Sequence, residues 1–338
     1  MARPGLGLRP GALAKPAGRE DPAAAALHLA RRRGGGQRRR GGLHGHSCLR
    51  PEVRHGGAGG DCLQRGARGG RRHSRSRPGR PGMSNKFLPV FVSNARYGNQ
   101  KLLPRLLQGG GDPQALLTFC HNHRRIGIGS LLLLCDTEAF QSHLYRSGRA
   151  LLALGAPADG AWPVALSRAT PFFDALAAFD LEGARELAVR APRARRTDSE
   201  YEEDFLYVRF LMDHCLLGQP APEAHKALDR FEAVLQGSEE PRLEVCQALL
   251  AREEKRFQEA LQRMVSAQLK RYAHLRERGR LPQETWATEA KVCVEGLALG
   301  VLAERVGLRM PDEHPGLPSV ARCRQPPAAP PDIWKEED

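Results

Sequence analysis

Aromatic side chains are scarce in this chain of 338 residues, which holds 11 Phe, 5 Tyr and 3 Trp. Over residues 1–82 there is no Phe, Trp, Tyr or Ile, while the same stretch holds 19 of the 36 Gly. A segment without large apolar groups cannot bury enough surface to offset the entropy of ordering it, so residues 1–82 are expected to be a disordered segment. No C-x-x-C occurs among the eight cysteines, which removes the paired-thiol signatures of zinc and redox sites. Cys48 and Cys62 fall in the first segment, and Cys120, Cys135, Cys215, Cys246, Cys293 and Cys323 are scattered singly, as reduced thiols of a cytoplasmic protein would be. The apolar run 131–134 is too short to span a bilayer and no other segment is long enough, so no membrane is expected as partner. No G-x-S-x-G, H-E-x-x-H or kinase signature is present. No catalytic residue, cofactor or metal is assigned, and a hydrolase is the weakest of the functional readings.

What is abundant is positive charge, and its location matters more than its total. The formal net charge is +14, from 52 Lys+Arg against 38 Asp+Glu. Residues 1–82 carry 19 of the basic and 4 of the acidic groups, which leaves 33 against 34 in the other 256 residues. The body is therefore near-neutral, and the Arg/Gly runs at 31–40 and 65–80 hold the excess. Three readings of this segment stand: an RNA-binding arm of the Arg/Gly type, a targeting peptide, or translation of GC-rich DNA outside the true frame. The alanine-rich stretch 23–30 precedes the arginines, which speaks against targeting. Arg, Gly, Pro and Ala share GC-rich codons, and ordinary aromatic, Ile and Lys usage begins with MSNKFLPVFVSN at Met83. The expectation is a mis-assigned start with the true one at Met83. Nucleic acid is expected as partner only if residues 1–82 are genuine.

From residue 112 onward the dominant period is 3.6, and alternating β-branched runs are few. Asp112-Pro113 predicts a helix start. Helices follow over about 136–154, 171–179 after Thr170, and 181–190 after Asp180. In 199–217, Tyr201, Phe205, Val208, Met212 and Cys215 form one stripe, with Ser199 and Glu202 as a capping box. Further helices are predicted over 221–235, 240–251 and 254–278, then one long helix over about 282–306 with Trp286, Ala290, Cys293, Leu297 and Val301 on one face. The Pro-rich sequence from Pro311 reads as a surface-hugging or frayed tail. The expected fold is all-α: an irregular antiparallel bundle or an α-solenoid of helical hairpins. The expected organisation is 1–82 disordered, 83–325 all-helical and 326–338 a Pro-rich tail.

Three motifs have the residue types of chemical sites. Cys120-His121-Asn122-His123 has metal-ligand types, but neighbours on a helix do not share a face, and the plain reading is a polar helix end running into Arg124-Arg125. His214 and Cys215 point about 100° apart on a helix, so they do not form a nucleophile pair. Gly109-Gly110-Gly111 lacks the strand before it and the Lys-Ser/Thr after it that a phosphate loop needs. The acidic start of the 199–217 helix has two readings. One is complementarity to the helix macrodipole. The other is a contact face for a basic, nuclease-like partner, formed by Glu200, Glu202, Glu203 and Asp204, with Tyr207 beside it as an anchor.

The run 198–211 (DSEYEEDFLYVRFL), preceded by 180–188 (DLEGARELA), resembles the immunity protein 49 family of bacterial polymorphic-toxin systems. So do 246–250 (CQALL) with 257–261 (FQEAL), and 294–299 (VEGLAL) before 302–307 (LAERVG). The resemblance covers roughly residues 90–325. It implies a cytoplasmic, all-α, non-enzymatic protein that binds a cognate toxin domain and neutralises it by covering its active site. The family carries no catalytic residues to transfer. The alternatives are a helical-repeat interaction scaffold and an RNA-associated protein using residues 31–80 as its arm; the oligomeric state is left open. With residues 1–82 deleted, an immunity protein is expected to keep protecting its cell, whereas an RNA binder loses its salt-sensitive affinity. Mass spectrometry of the native N-terminus is expected to find Met83 at the start.

Overall fold

Three aspartates that precede apolar-periodic stretches act as the sequence predicts. Asp112, Asp136 and Asp180 each accept a hydrogen bond from a backbone N–H three residues on, Ala115 at 2.6 Å, Ala139 at 2.9 Å and Gly183 at 2.9 Å. They begin α2 (Pro113–Leu134), α3 (Thr137–Leu154) and α5 (Leu181–Arg190). The computed structural model describes residues 86–109, 112–155, 162, 164–311, 313–324 and 329–336, all within the unit Asn85–Asp338. The expectations for residues 1–82 lie outside the described residues. These form helices and irregular connections, with no strand among them.

The remaining helices are α1 (Leu88–Leu107), α4 (Thr170–Ala177), α6 (Glu202–Phe210), α7 (Ala221–Leu235), α8 (Pro241–Ala251), α9 (Glu254–Glu277), α10 (Gln283–Ala287) and α11 (Val294–Arg305). The first three pack in sequence, α1 on α2 and α2 on α3, and α8 with α9 makes a second hairpin. Between them lies α4, on which every residue from Pro171 to Ala177 is buried. It touches both α3 and α11, which are far apart in the chain. A solenoid repeat touches only its neighbours, so the fold is an irregular bundle around a central helix.

Two local expectations are corrected, and two further segments are defined by the structure. The sequence gives no prediction for α1, whose apolar spacing is interrupted to the eye by Pro104 in its last turns. It nonetheless buries Leu88, Val92, Ala95, Leu103 and Leu106. The helix expected over 199–217 begins at Glu202 with Tyr201 as its N-cap and no side-chain cap bond. The capping box does not form because Ser199 donates to Asp198, and the 196–200 turn is fastened by Glu200. After Phe210 the helix widens into a π-turn, Leu211–Leu216. The long helix expected over 282–306 is two helices. Thr288 breaks it with φ −120° and ψ −87°, and its hydroxyl donates to the Glu284 carbonyl at 2.6 Å while Glu289 turns inward. The C-terminal stretch is not frayed where it is described: Leu317, Ala321 and Trp334 are buried, and Gln141 Nε2 donates to the Cys323 carbonyl.

The α3–α4 crossing depends on a missing side chain. A Cβ at Gly148 would lie 2.8 Å from Ala175 Cβ and 3.3 Å from its Cα. Alanine there gains about 1 kcal/mol of helix propensity, but forcing apart two close-packed backbones costs about 1–3 kcal/mol. Gly148→Ala is therefore expected to destabilise the fold, read as a lower denaturant midpoint. An unchanged or raised midpoint would contradict this packing.

Candidate functional site

Of the acidic residues singled out from the sequence, Glu200 is buried and Glu202, Glu203 and Asp204 are half-buried. The Glu200 carboxylate accepts the Ser167 N–H at 2.5 Å and the Arg196 N–H at 3.3 Å. It clamps the loop before α6 and faces no partner. Glu202 forms an ion pair with Arg230 of α7 at 2.6 Å, and Asp204 with Arg242 of α8 at 2.9 Å. Glu203 is half-buried and also engaged. Tyr207 is 1% exposed. Its ring stacks on Phe173 and lies under the Arg242 guanidinium, and burial pushes its phenol well above the ordinary range. The residues of the expected contact face are thus engaged with other parts of the fold. An isolated helix with four acids in its first turns looks like an exposed negative surface, but here two arginines from neighbouring helices supply the counter-charge.

The reading of the cysteine-histidine motif is corrected. It is no helix end: it sits in the middle of α2 and is the polar hub of the molecule. Because neighbours on a helix point about 100° apart, six successive residues reach several different elements. Cys120 donates to the Ser147 carbonyl of α3 at 3.4 Å. His121 meets Glu289 at 2.7 Å. Asn122 donates to Asn99 of α1 at 3.0 Å, and His123 Nδ1 lies 3.2 Å from His143 Nδ1. Arg124 pairs with Asp174 of α4 at 2.6 Å and donates to the Thr170 carbonyl at 2.8 Å. Arg125 pairs with Glu289 at 3.2 Å and reaches Thr285 of α10. Asp174 takes a second bond, from the Ser147 hydroxyl, at 2.6 Å.

The protonation states follow from burial first. Desolvation lowers the His123 imidazole well below its ordinary value, so it is neutral in the fold. Burial pushes the Asp174 carboxyl up, and Arg124 and Ser147 draw it part of the way back. At Glu289 burial also acts upward, but His121 and Arg125 outweigh it and hold the carboxyl at about 2. Burial takes the Cys120 thiol above its ordinary range and the Cys215 and Cys293 thiols to about 12, so all three are protonated at neutral pH and poor nucleophiles. His214 bonds the Gln219 carbonyl and stacks on Phe210, not on Cys215. Gly110 and Gly111 lie outside the described residues, and Asp112 after them serves as a helix cap. No three His, Cys, Asp or Glu side chains converge as a metal-binding group among the described residues. No helix among them is long and apolar enough to cross a membrane.

Of this hub, the sequence singles out only residues 120–125; Asp174, the one charge in the apolar run 171–178, is a signal that spacing alone does not join to Arg124. Glu289 and Asn99 gave no signal, since each is paired across more than twenty positions of chain. Two predictions follow from the geometry. Asp174→Ala leaves a buried guanidinium uncompensated and is expected to cost about 3–5 kcal/mol, read by denaturant unfolding. The unfolded His123 imidazole takes its proton near pH 6.5 and the folded one only at lower pH. Its contribution is thus fully present above 6.5 and is lost as the pH falls below it. Glu289 adds a second loss between about 4.5 and 2. His123→Gln is expected to flatten the stability profile just below pH 6.5, and an unaltered slope there would assign that loss to other groups.

No curated protein and no solved structure matches the chain. The sequence profile of Immunity protein 49 matches residues 129–321, a span that runs from the end of α2 through α11 and includes the Asp174 and Glu289 sides of the hub. That span is more than half of the chain, and the protein belongs to the immunity protein 49 family.

Proposed function

We propose that the protein is a cytoplasmic immunity protein that binds a cognate toxin domain and neutralises it by covering the active site, with no reaction of its own. Membership of the immunity protein 49 family carries this reading. The chemistry of the interior agrees with it. The hub's imidazoles and carboxylates are packed between helices and bonded to other residues of the fold, and burial keeps the Cys120 and Cys293 thiols protonated. The two concavities along α9, lined by Glu253 to Glu259 and by Glu259 to Lys270, include no member of the hub. A protein whose polar groups are used to fix its shape is suited to rigid-surface recognition, in which little ordering entropy is lost on binding.

Protection against a toxin made in the same cell requires tight association, on the order of nM or about −12 kcal/mol. An interface of roughly 1,600 Å² with a few anchoring side chains supplies that. The test is co-expression with the C-terminal domain of the toxin encoded beside this gene. Cells producing both are expected to grow and the two proteins to co-purify one to one. Growth arrest despite full expression of the folded protein would refute the reading.

A further inference from the structure

One region of the surface differs from the rest in charge and in its aromatic content. On α1 and just before it there are four cations, Lys86, Arg96, Lys101 and Arg105, and no acidic residue. All four are exposed. So are Phe87, Val90 and Tyr97, at 48%, 50% and 58%, spaced along one side of the same helix. The second half of α9 and the turn after it add Lys270, Arg276, Arg278 and Arg280, also exposed, against one exposed acid, Glu277. Lys291 faces them from the break after α10. The Arg276 guanidinium and the Lys291 ammonium both lie over the half-buried Trp286 ring, 4.2 Å and 4.0 Å from its centre.

Helix α10 packs on α1, and Ala287, the residue after Trp286, joins Leu88, Val92, Ala95 and Ile126 in one small apolar cluster with Phe91 against it. Helix α10 therefore lies beside α1, and Trp286 is one residue away from the apolar cluster that the two share. Arg230, Arg242, Arg263 and Arg309, on other helices and loops, each have a carboxylate. Here Arg276 and Lys291 crowd two like charges on one ring and neither has an ion pair among the described residues. Burial and then Arg276 hold the Lys291 ammonium below its ordinary range. An incoming anion relieves that repulsion, and a flat, aromatic, cationic surface gains both apolar area and charge-assisted bonds from a partner with carboxylates.

We propose that this surface, α1 together with Trp286 and its two cations, is where the partner docks, and that the partner presents an acidic, partly apolar protein surface. The proposal rests on the immunity reading for the identity of the partner, but the chemistry of the surface does not. A protein partner is favoured over nucleic acid because the aromatic faces are occupied. Lys86 lies over Phe87 at 5.1 Å, Lys101 over Tyr97 at 4.3 Å, and Trp286 carries two cations. Base recognition by stacking needs those faces open. The body as a whole is near-neutral, so charge concentrated on one side also orients the molecule during approach and raises the association rate.

The experiment uses the full chain and the toxin domain encoded beside it, with association and dissociation followed by surface plasmon resonance at low and physiological salt. Arg276→Glu/Lys291→Glu is expected to slow association by about tenfold or more and to flatten its salt dependence. Tyr97→Ala is expected to speed dissociation by about tenfold. Glu202→Lys/Glu203→Lys, on the internally compensated acidic face, is expected to change neither rate. Should the double reversal fail to fold by circular dichroism, Lys101→Glu/Arg105→Glu on exposed positions of α1 takes its place. Wild-type rates in a folded reversal variant overturn this surface and leave the immunity reading intact. If the wild-type protein does not bind the toxin domain at all, that reading fails, and poly-L-glutamate tests the surface alone. A change in Trp286 emission that is absent from Trp286→Phe and from the reversal variant upholds an acid-binding surface, and no change overturns it. Tight binding of a labelled single-stranded oligonucleotide, abolished by the same reversal, would overturn it in favour of nucleic acid.

Discussion

The buried pair between Arg124 and Asp174 is the constraint on which the rest of the arrangement depends. Asp174 is the only charged residue on the central helix α4, and it is 1% exposed. Taking a carboxylate out of water costs several kcal/mol unless it is paired and fully hydrogen-bonded. Arg124 and Ser147 meet that demand from two different helices, α2 and α3. The carboxylate can be satisfied only when all three helices are in register, so the pair selects one packing of the bundle among several that apolar contacts alone would permit.

The same logic extends outward from α2. Its residues 120–125 bind α1, α3, α4 and the α10 turn, and Glu289 is held between His121 and Arg125. Glu289 turns inward at the break at Thr288, where the helix predicted past Ala287 ends. That break places Lys291 over Trp286 and forms the end of the cationic surface.

Three groups of charge on this molecule differ in what they serve. The acids at the start of α6 are compensated by Arg230 and Arg242 and serve the fold. The hub ions are buried and compensate one another. The cations of α1, the end of α9 and Lys291 stay exposed beside aromatic rings. For an immunity protein this division is useful. Recognition needs a surface that stays rigid and still carries net charge, and the interior polar network supplies the rigidity while leaving the outer cations uncompensated.

The sequence by itself determined the all-helical class and most helix limits, because apolar spacing, aspartate caps and glycine stops are local signals. Helix α7 and the α8–α9 hairpin lie where the periodicity puts them to within a residue or two. Its resemblance to immunity protein 49 agrees with the profile match to the chain. Only the tertiary structure decided which polar residues face inward. Whether Glu200, Asp204 or Tyr207 meets solvent depends on Arg196, Arg242 and Phe173, which come from other elements and leave no periodic trace in the α6 segment. The interruption at Thr288 and the burial of Trp334 have the same cause: contacts between residues distant in the chain outweigh the local preference for a continued helix or a loose end.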